Sequence, residues 1–494
     1  MVSTLELEGQ LKVITPLHIG AADEGDLVDE ELMRDGQRRI LMPGTSLTGV
    51  LRSLLKEDEL WGESEGDFTT SVLTVCDAWA EAPPVIETRT MNSIDRRTGG
   101  VAAHHLHSRE HVLPDATFRF RCYADCTPET SERVEQLMLA IKSLLTKPGI
   151  KIGKGTSTGN GHIQLTTSTL RKRDFTPASL LEALNGGTAV DEPRGATTAT
   201  YSSDTVTITI PFEAEGALFV GQTRDGTAID TVPLTRTVGE KVHFLLPGSS
   251  IKGVFRSRAE FIARTVTGAD VPERFLDQLS QTGLPQIADL FGSSHAESAN
   301  RGALTFHDVI STTSVNKQEY QRVISMTKNQ QPAEDDERSR ETLKLVDTIN
   351  AQLKPDFLDI AVRNSVDRFS GNTVAGALFS TLEPHVSWNA VSITLDLQLL
   401  SELADGDQTR IDASYALLTF LLIDLVEGAM RFGANTTRGS GGIVTHPEHI
   451  TIICPEGECS LNDFLYGTDF VECRERIAMN WGLVLEELEE ATHA

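Results

Sequence analysis

Cysteine and lysine are both scarce in this chain of 494 residues, and three motifs that would assign it quickly are missing. Six cysteines form no Cys-x-x-Cys pair, which argues for free thiols rather than a disulfide framework or a structural zinc site. No apolar run is long enough to span a bilayer, so no membrane partner is expected. The opening MVSTLELEGQ has neither the basic start nor the apolar stretch of a secretory signal, and the expected compartment is the cytoplasm. Gly-x4-Gly-Lys-Ser/Thr does not occur, which disfavours a nucleotide-binding enzyme. Only 13 of the 44 basic residues are lysine, against 71 acids, and the net charge is −27. Whole-chain charge governs solubility and steering while a polyanion feels the local groove, so any nucleic-acid partner requires locally segregated cations.

What the chain has is a repeat. Pro43–Ser53, PGTSLTGVLRS, returns as Pro247–Ser257, PGSSIKGVFRS, identical at seven of eleven positions. Pro-Gly makes a tight turn and the next Ser or Thr can cap a helix. Leu47, Val50, Leu51, Leu54 and Leu55 then fall at helical spacing, with Arg52 and Lys56 on another face. A helix N-terminus opened by hydroxyls and backed by cations can seat a phosphate, which nominates Ser46 and Arg52 in one copy and Ser250, Lys252 and Arg256 in the other. Thr48 stands where the second copy has Lys252.

Other blocks recur in the same order. Ile19-Gly20 answers Val220-Gly221, and in an acidic loop that also holds Asp23 and Asp26, Asp29 lies nine residues beyond its glycine, as Asp230 does in the second half. VLTVCD ending at Asp77 answers ALTFHD ending at Asp308, and NSIDRRTG (Asn92–Gly99) answers NSVDRFSG (Asn364–Gly371). Glu110, eleven residues past Gly99, is matched with Glu383, twelve past Gly371. IGKGTSTGNG (Ile152–Gly161) answers FGANTTRGSG (Phe432–Gly441), aligning Gly153, Thr156 and Gly159 with Gly433, Thr436 and Gly439. Six blocks in one order establish an internal duplication. Residues 1–170 are expected to form the first domain, 171–204 a linker, 205–445 the second domain with an insertion around 312–359, and 446–494 a C-terminal extension. Each half reads strand, loop, helix, strands, helix, glycine-rich loop, strand. That is the βαββαβ order of a ferredoxin-like fold, an α+β class whose sheet serves as an RNA platform in recognition-motif domains. Clustered glycines let a backbone approach a ligand and aim N–H groups at an anion.

These blocks, LHIGAAD…VDEEL…MPGTSLTGVLRSLL, NSIDRRTGGVA with Glu110 behind it, and IGKGTSTGNG, resemble the RAMP superfamily of RNA-binding proteins in CRISPR effector complexes. The nearest resemblance is to the backbone subunit of type III complexes, and the fused pair resembles the double-backbone subunit of the III-D variant. It covers nearly all of 1–170 and 205–445. The resemblance implies partners: a guide (CRISPR) RNA, a complementary target RNA and other CRISPR effector subunits. It also implies that Asp29 and Asp230 cleave the target. RNA carries its own nucleophile, and a carboxylate can act as base or hold magnesium or another divalent cation, so both aspartates are candidate metal ligands too. Guide contacts are expected at the helix residues above and at the loops Gly153–Gly161 and Gly433–Gly441, with Lys154 and Arg438. Arg96 and Arg368 are read as RNA-facing beside a structural Asp95 and Asp367. The stretches after them resemble the family's hairpin thumb. The cluster His104, His105, His107 and His111 is read as contacting phosphate or base rather than zinc.

Two rival readings stand beside the nuclease: a scaffold that coats the guide and cuts nothing, and a guide-processing endonuclease with His18 as base. The latter ranks last because Phe219 stands opposite His18.

Overall fold

The computed structural model describes residues 3–21, 28–55, 58–62, 70–184, 204–223, 229–280, 284–293, 299–325, 357–374 and 379–493. Asp23, Asp26, Lys56, most of the expected linker and the acidic centre of the insertion, 326–356, lie outside the described residues. Among the described residues no helix is long and apolar enough to cross a membrane. The chain divides into two units, Met1–Ile94 with Gly100–Ser203, and Asp95–Gly99 with Asp204–Ala494. Both are mixed α+β.

In the first unit the strand Ser3–Val13 alternates as its sequence requires, with Leu5, Leu7, Leu11 and Val13 fully buried on one face. It lies antiparallel between Thr117–Cys126 and His162–Asp174. Ala78–Ala80 and Leu41–Met42 extend the sheet on one side and Ile150–Lys151 on the other. Helices Gly44–Leu55 and Ser131–Thr146 cover the buried face. The first sends Leu47 and Leu51 into the core but leaves Leu54 48% exposed, so its apolar stripe is narrower than the spacing suggests. The second contributes Val134, Leu137, Met138, Ile141, Leu144 and Leu145. Each such side chain is worth about 1.5–3 kcal/mol of burial. A long hairpin, Ile86–Ile94 against Val101–Val112, forms a two-stranded sheet of its own.

The second unit repeats this pattern. Thr205–Ile210 lies antiparallel between Val391–Asp396 and Thr451–Cys454, with Leu304–Phe306 outside the former. The last strand comes from the stretch expected to be C-terminal extension. The strand entered from the glycine loop is split: Gly442–Val444 pairs with Glu213–Glu215, and only Thr451–Cys454 reaches the central strand. Helix Gly248–Thr267 buries Ile251, Phe255, Ala259 and Ala263, with Phe255 packed 5.3 Å from Phe306. Helix Gln408–Val426 starts where Asp407 accepts the Thr409 N–H and caps its first turn. Its buried Asp412 is held by Arg476 and Asn480 of the C-terminal helix Val471–His493. The hairpin's counterpart, Leu358–Arg363 against Phe379–Pro384, belongs to a sheet with Thr231–Pro233 and Gly221–Thr223.

The expected linker contains the end of strand His162–Asp174 and a helix, Pro177–Leu184. The expected insertion begins inside strand Val309–Asn316 and helix Lys317–Ile324.

Candidate nucleic-acid interface

The two glycine loops have the same backbone. Each contains a one-turn 3-10 helix, Thr156–Thr158 or Thr436–Arg438, entered through a left-handed residue (Gly155, Asn435) and left through a left-handed glycine (Gly159, Gly439). The Lys154 N–H donates to the His18 carbonyl at 2.9 Å and the Ala434 N–H to that of Phe219 at 2.7 Å. The Gly161 N–H donates to Pro16 and the Gly441 N–H to Ala217. A Cβ on Gly153 or Gly433 would stand 2.1 Å from the carbonyl oxygen of His18 or Phe219, at φ +84° and +81°. Only glycine permits that approach.

The two aspartates sit in matching clasps. Asp29 Oδ2 accepts the Ser108 N–H at 2.7 Å and the Ser108 hydroxyl at 2.8 Å, and the Asp29 N–H returns to Ser108 Oγ at 3.2 Å. Asp230 Oδ2 accepts the Ser380 N–H at 2.7 Å and hydroxyl at 3.0 Å, and its own N–H returns to Ser380 Oγ at 3.2 Å. The next residues form a parallel bridge in both copies, Glu30 with Arg109 and Thr231 with Thr381. Each clasp therefore ties the loop after the glycine turn to the second strand of its hairpin. Asp29 is exposed and Asp230 half-buried. The Ser108 amide, then its hydroxyl, hold the Asp29 carboxyl below the usual range. A carboxylate so stabilised stays charged and is a weak base, which suits it to binding a cation rather than taking a proton.

The copies differ in what surrounds the clasp. In the first, Glu30 accepts from Arg109 Nε and, at 2.7 Å, from Lys154 Nζ. Partial burial works against its charge, but these two cations outweigh that and bring its pKa to about 2. In the second copy Thr231, Thr381 and Ala434 stand at the three positions, so the whole charged set is replaced together. His107, half-buried, faces Asp29 electrostatically, its pKa lowered by burial and then by Arg109. Phe379 takes its place, with Arg438 stacked 5.0 Å over the ring. His18 is 1% exposed, its Nδ1 2.7 Å from the Glu110 carbonyl, and burial lowers its pKa. It cannot reach a substrate as the base of a guide-processing enzyme.

The helix N-termini do not offer the open anion seat that the sequence suggests. A distant carboxylate occupies each first turn: the Gly44 N–H donates to Asp77 Oδ1 at 2.7 Å and the Gly248 N–H to Asp308 Oδ1 at 2.8 Å. The Ser46 and Ser250 amides turn back to Pro43 and Pro247. Cations lie further along. Burial, then the charges of Arg256 and Arg301, push the Lys252 ammonium down to about 8. Arg256 donates to Glu260 and to the Gly292 carbonyl, and Arg52 is half-buried in the other helix. Arg96 Nε meets Glu260 at 2.7 Å, whereas Arg368 is exposed.

Ser108, Ser380, Glu30 and Arg109 were not nominated by the sequence. Ser108 lies nine residues after Gly99 and Ser380 nine after Gly371, the same count that finds the aspartates from their glycines. Matching Glu110 with Glu383 hid this, because the clasp puts Glu110 opposite Leu382. Glu110 bonds Arg34, and Glu383 bonds Arg363.

Among the described residues no three His, Cys, Asp or Glu converge on a metal-sized site, the histidine cluster included. Magnesium commonly takes one or two carboxylates and fills its shell with water and phosphate, so the donor set fits Asp29 or Asp230 as a single protein ligand.

A profile of the RAMP superfamily matches residues 10–164 and 212–444, well over half of the chain. The chain belongs to the RAMP superfamily. A search of curated proteins finds no match. Among solved structures, this RAMP chain is similar to a chain of type III-B Cmr-beta in the apo state. The identity is 16%, over 32% of this chain and 96% of that one, with a TM-score of 0.28. It is also similar to a chain of type III-B Cmr-beta bound to cognate target RNA, at 16% identity over 34% of this chain and 61% of that one, TM-score 0.28.

Proposed function

We propose that this chain is a guide-RNA-binding backbone subunit of a type III CRISPR effector complex, two tandem ferredoxin-like βαββαβ units that cut a complementary target RNA at two positions. The observation that carries this reading is the clasp. Two aspartates 201 residues apart are held by the same three hydrogen bonds at the same register, beside glycine loops of the same backbone.

The loops Gly153–Gly161 and Gly433–Gly441, with Thr156, Thr436, Lys154 and Arg438, would follow the guide backbone. Lys252, Arg256 and Arg52, one to two turns into their helices, would meet phosphates, and Ser46 and Ser250 would contribute through their hydroxyls, since their amides are spent. Holding a target nucleotide so that its 2′-hydroxyl lies in line with the scissile phosphate accounts for much of the rate in such a reaction. Asp29 and Asp230 would each hold magnesium or another divalent cation. Such an ion neutralises the charge that develops on the phosphorane. The serine clasp aims each carboxylate, and at Asp29 it also favours the charged form.

The test is cleavage of a labelled target by the assembled complex carrying Asp29→Ala or Asp230→Ala. Each change is expected to remove a different product and leave the other. A product ladder unchanged by both would mean a chain that coats the guide without cutting.

A further inference from the structure

The central sheets of the two units end differently. In each, the last strand reached from the glycine loop lies beside the central strand: His162–Asp174 against Ser3–Val13, and Thr451–Cys454 against Thr205–Ile210. In the second unit the chain turns back at Pro455 and Glu456. Gly457–Ser460 then pairs antiparallel along the outer side, Ser460 opposite Thr451 and Gly457 opposite Cys454. In the first unit a helix, Pro177–Leu184, begins three residues after the strand, and no return strand follows it among the described residues. Ile150–Lys151 covers only the near end of the outer side, opposite Ile163 and His162. From Thr166 to Arg173 the outward N–H and C=O groups meet no backbone partner among the described residues.

The open edge is basic at its far end. Arg171 Nη1 stands 3.6 Å from Glu8 on the neighbouring strand, and Lys172 Nζ stands 3.6 Å from Glu135 and 3.3 Å from Ser131 Oγ on the covering helix. Arg171 and Arg173 are exposed, and no described residue bonds the Arg173 guanidinium. Leu170, between the two faces' charged residues in sequence, is buried on the helix side.

We infer that the edge Thr166–Arg173 accepts an extended acidic segment of a different protein, which adds to the sheet as an antiparallel strand. Unpaired ladder groups on a long edge are matched by the backbone of another strand, and Gly457–Ser460 shows which direction the same sheet position takes in the other copy. Side chains of an added strand alternate between faces. Acids on its open face meet Arg171 and Arg173, and apolar side chains on the other continue Leu170 and the alkyl stem of Lys172. RNA does not fit this edge: Glu6 lies opposite Arg171 and Glu8 opposite Thr169, and a sugar-phosphate chain has no alternating N–H and C=O groups to complete the ladder. Nor does the same edge of a second copy, because TTSTLRKR (Thr166–Arg173) brings no acid to the arginines.

This inference rests on the reading of the chain as a subunit of a complex. The test compares hydrogen exchange in the isolated chain and in the complex assembled by coexpressing all effector proteins with guide RNA. The fast-exchanging amides of Thr166–Arg173 are expected to slow at least tenfold on assembly. The double change Arg171→Glu, Arg173→Glu is expected to restore their fast exchange and to lower the occupancy of one protein at least tenfold in native mass spectrometry, with guide RNA retained. A photocrosslinker at position 169 is expected to join that same protein at an Asp- or Glu-bearing segment. Equal exchange in the free and assembled chain overturns the inference and leaves the cations as guards of the edge. Protection by guide RNA alone overturns it too, as does a crosslink to this chain itself. If the wild-type chain copurifies with neither protein nor RNA, the subunit reading falls instead.

Discussion

Glu30 shows how much one carboxylate can cost when its partners are few. It is 25% exposed, and Arg109 is 8% exposed, so neither is fully solvated. Its pKa of about 2, against an ordinary 4.5, means that the folded state prefers the charged form. A lowered carboxylate pKa contributes stability above the unfolded value, and that contribution disappears as pH falls from about 4.5 toward 2. The linkage amounts to about 2–3 kcal/mol after allowance for partial solvent screening. Arg109→Ala strands Glu30 with Lys154 alone and is expected to destabilise by roughly 3 kcal/mol at pH 7, measured by denaturant unfolding. The triple change Glu30→Thr, Arg109→Thr, Lys154→Ala copies the second unit and is expected to come back to within about 1 kcal/mol of wild type, because it leaves no charge unpaired. A triple variant as unstable as Arg109→Ala alone would show that the ion cluster itself holds the clasp together.

At the scale of elements, the glycine loops separate two kinds of constraint. Gly439 has φ +95° with open space around its would-be Cβ, so Gly439→Ala meets only the left-handed backbone cost of about 1–2 kcal/mol. Gly433 has φ +81° and a carbonyl oxygen 2.1 Å from that position, so Gly433→Ala must also move backbone and is expected to cost about 3 kcal/mol or more. Thermal melts of the two variants distinguish them, and equal losses would deny the close approach to Phe219. These loops were legible in the sequence because glycine spacing records backbone conformation directly. Helix Gly44–Leu55 was legible because its apolar residues fall at helical spacing behind a Pro-Gly turn. The serine clasps were not, since Asp29 and Ser108 are 79 residues apart and matching Glu110 with Glu383 slid the register by one and hid the serines' shared distance from their glycines. Nor was the closed anion seat at the helix starts. Asp77 and Asp308 stood in matched blocks, but nothing local says that a strand-end aspartate will cap a helix begun at Gly44 or Gly248.

The whole molecule carries −27, so the guide binding proposed above would have to rely on a few cations placed against that field. Lys252 is one of these, its ammonium pushed down to about 8 by burial and then by Arg256 and Arg301. A phosphate favours the protonated form and raises that value on binding. Affinity for guide RNA should accordingly be full below pH 7 and decline as pH rises through 8, when the free protein loses the proton that the bound state retains. Lys252→Thr, which installs the first copy's Thr48 chemistry, should abolish this decline and reduce the slope of log affinity against log salt by about 0.7, the contribution of one phosphate on a single strand. Lys252→Arg should keep the salt slope and lose the pH dependence, since arginine stays charged throughout. If the wild type binds guide equally at pH 7 and pH 9 while Lys252→Thr still weakens it, the lysine acts through packing within its helix and not through its charge on RNA.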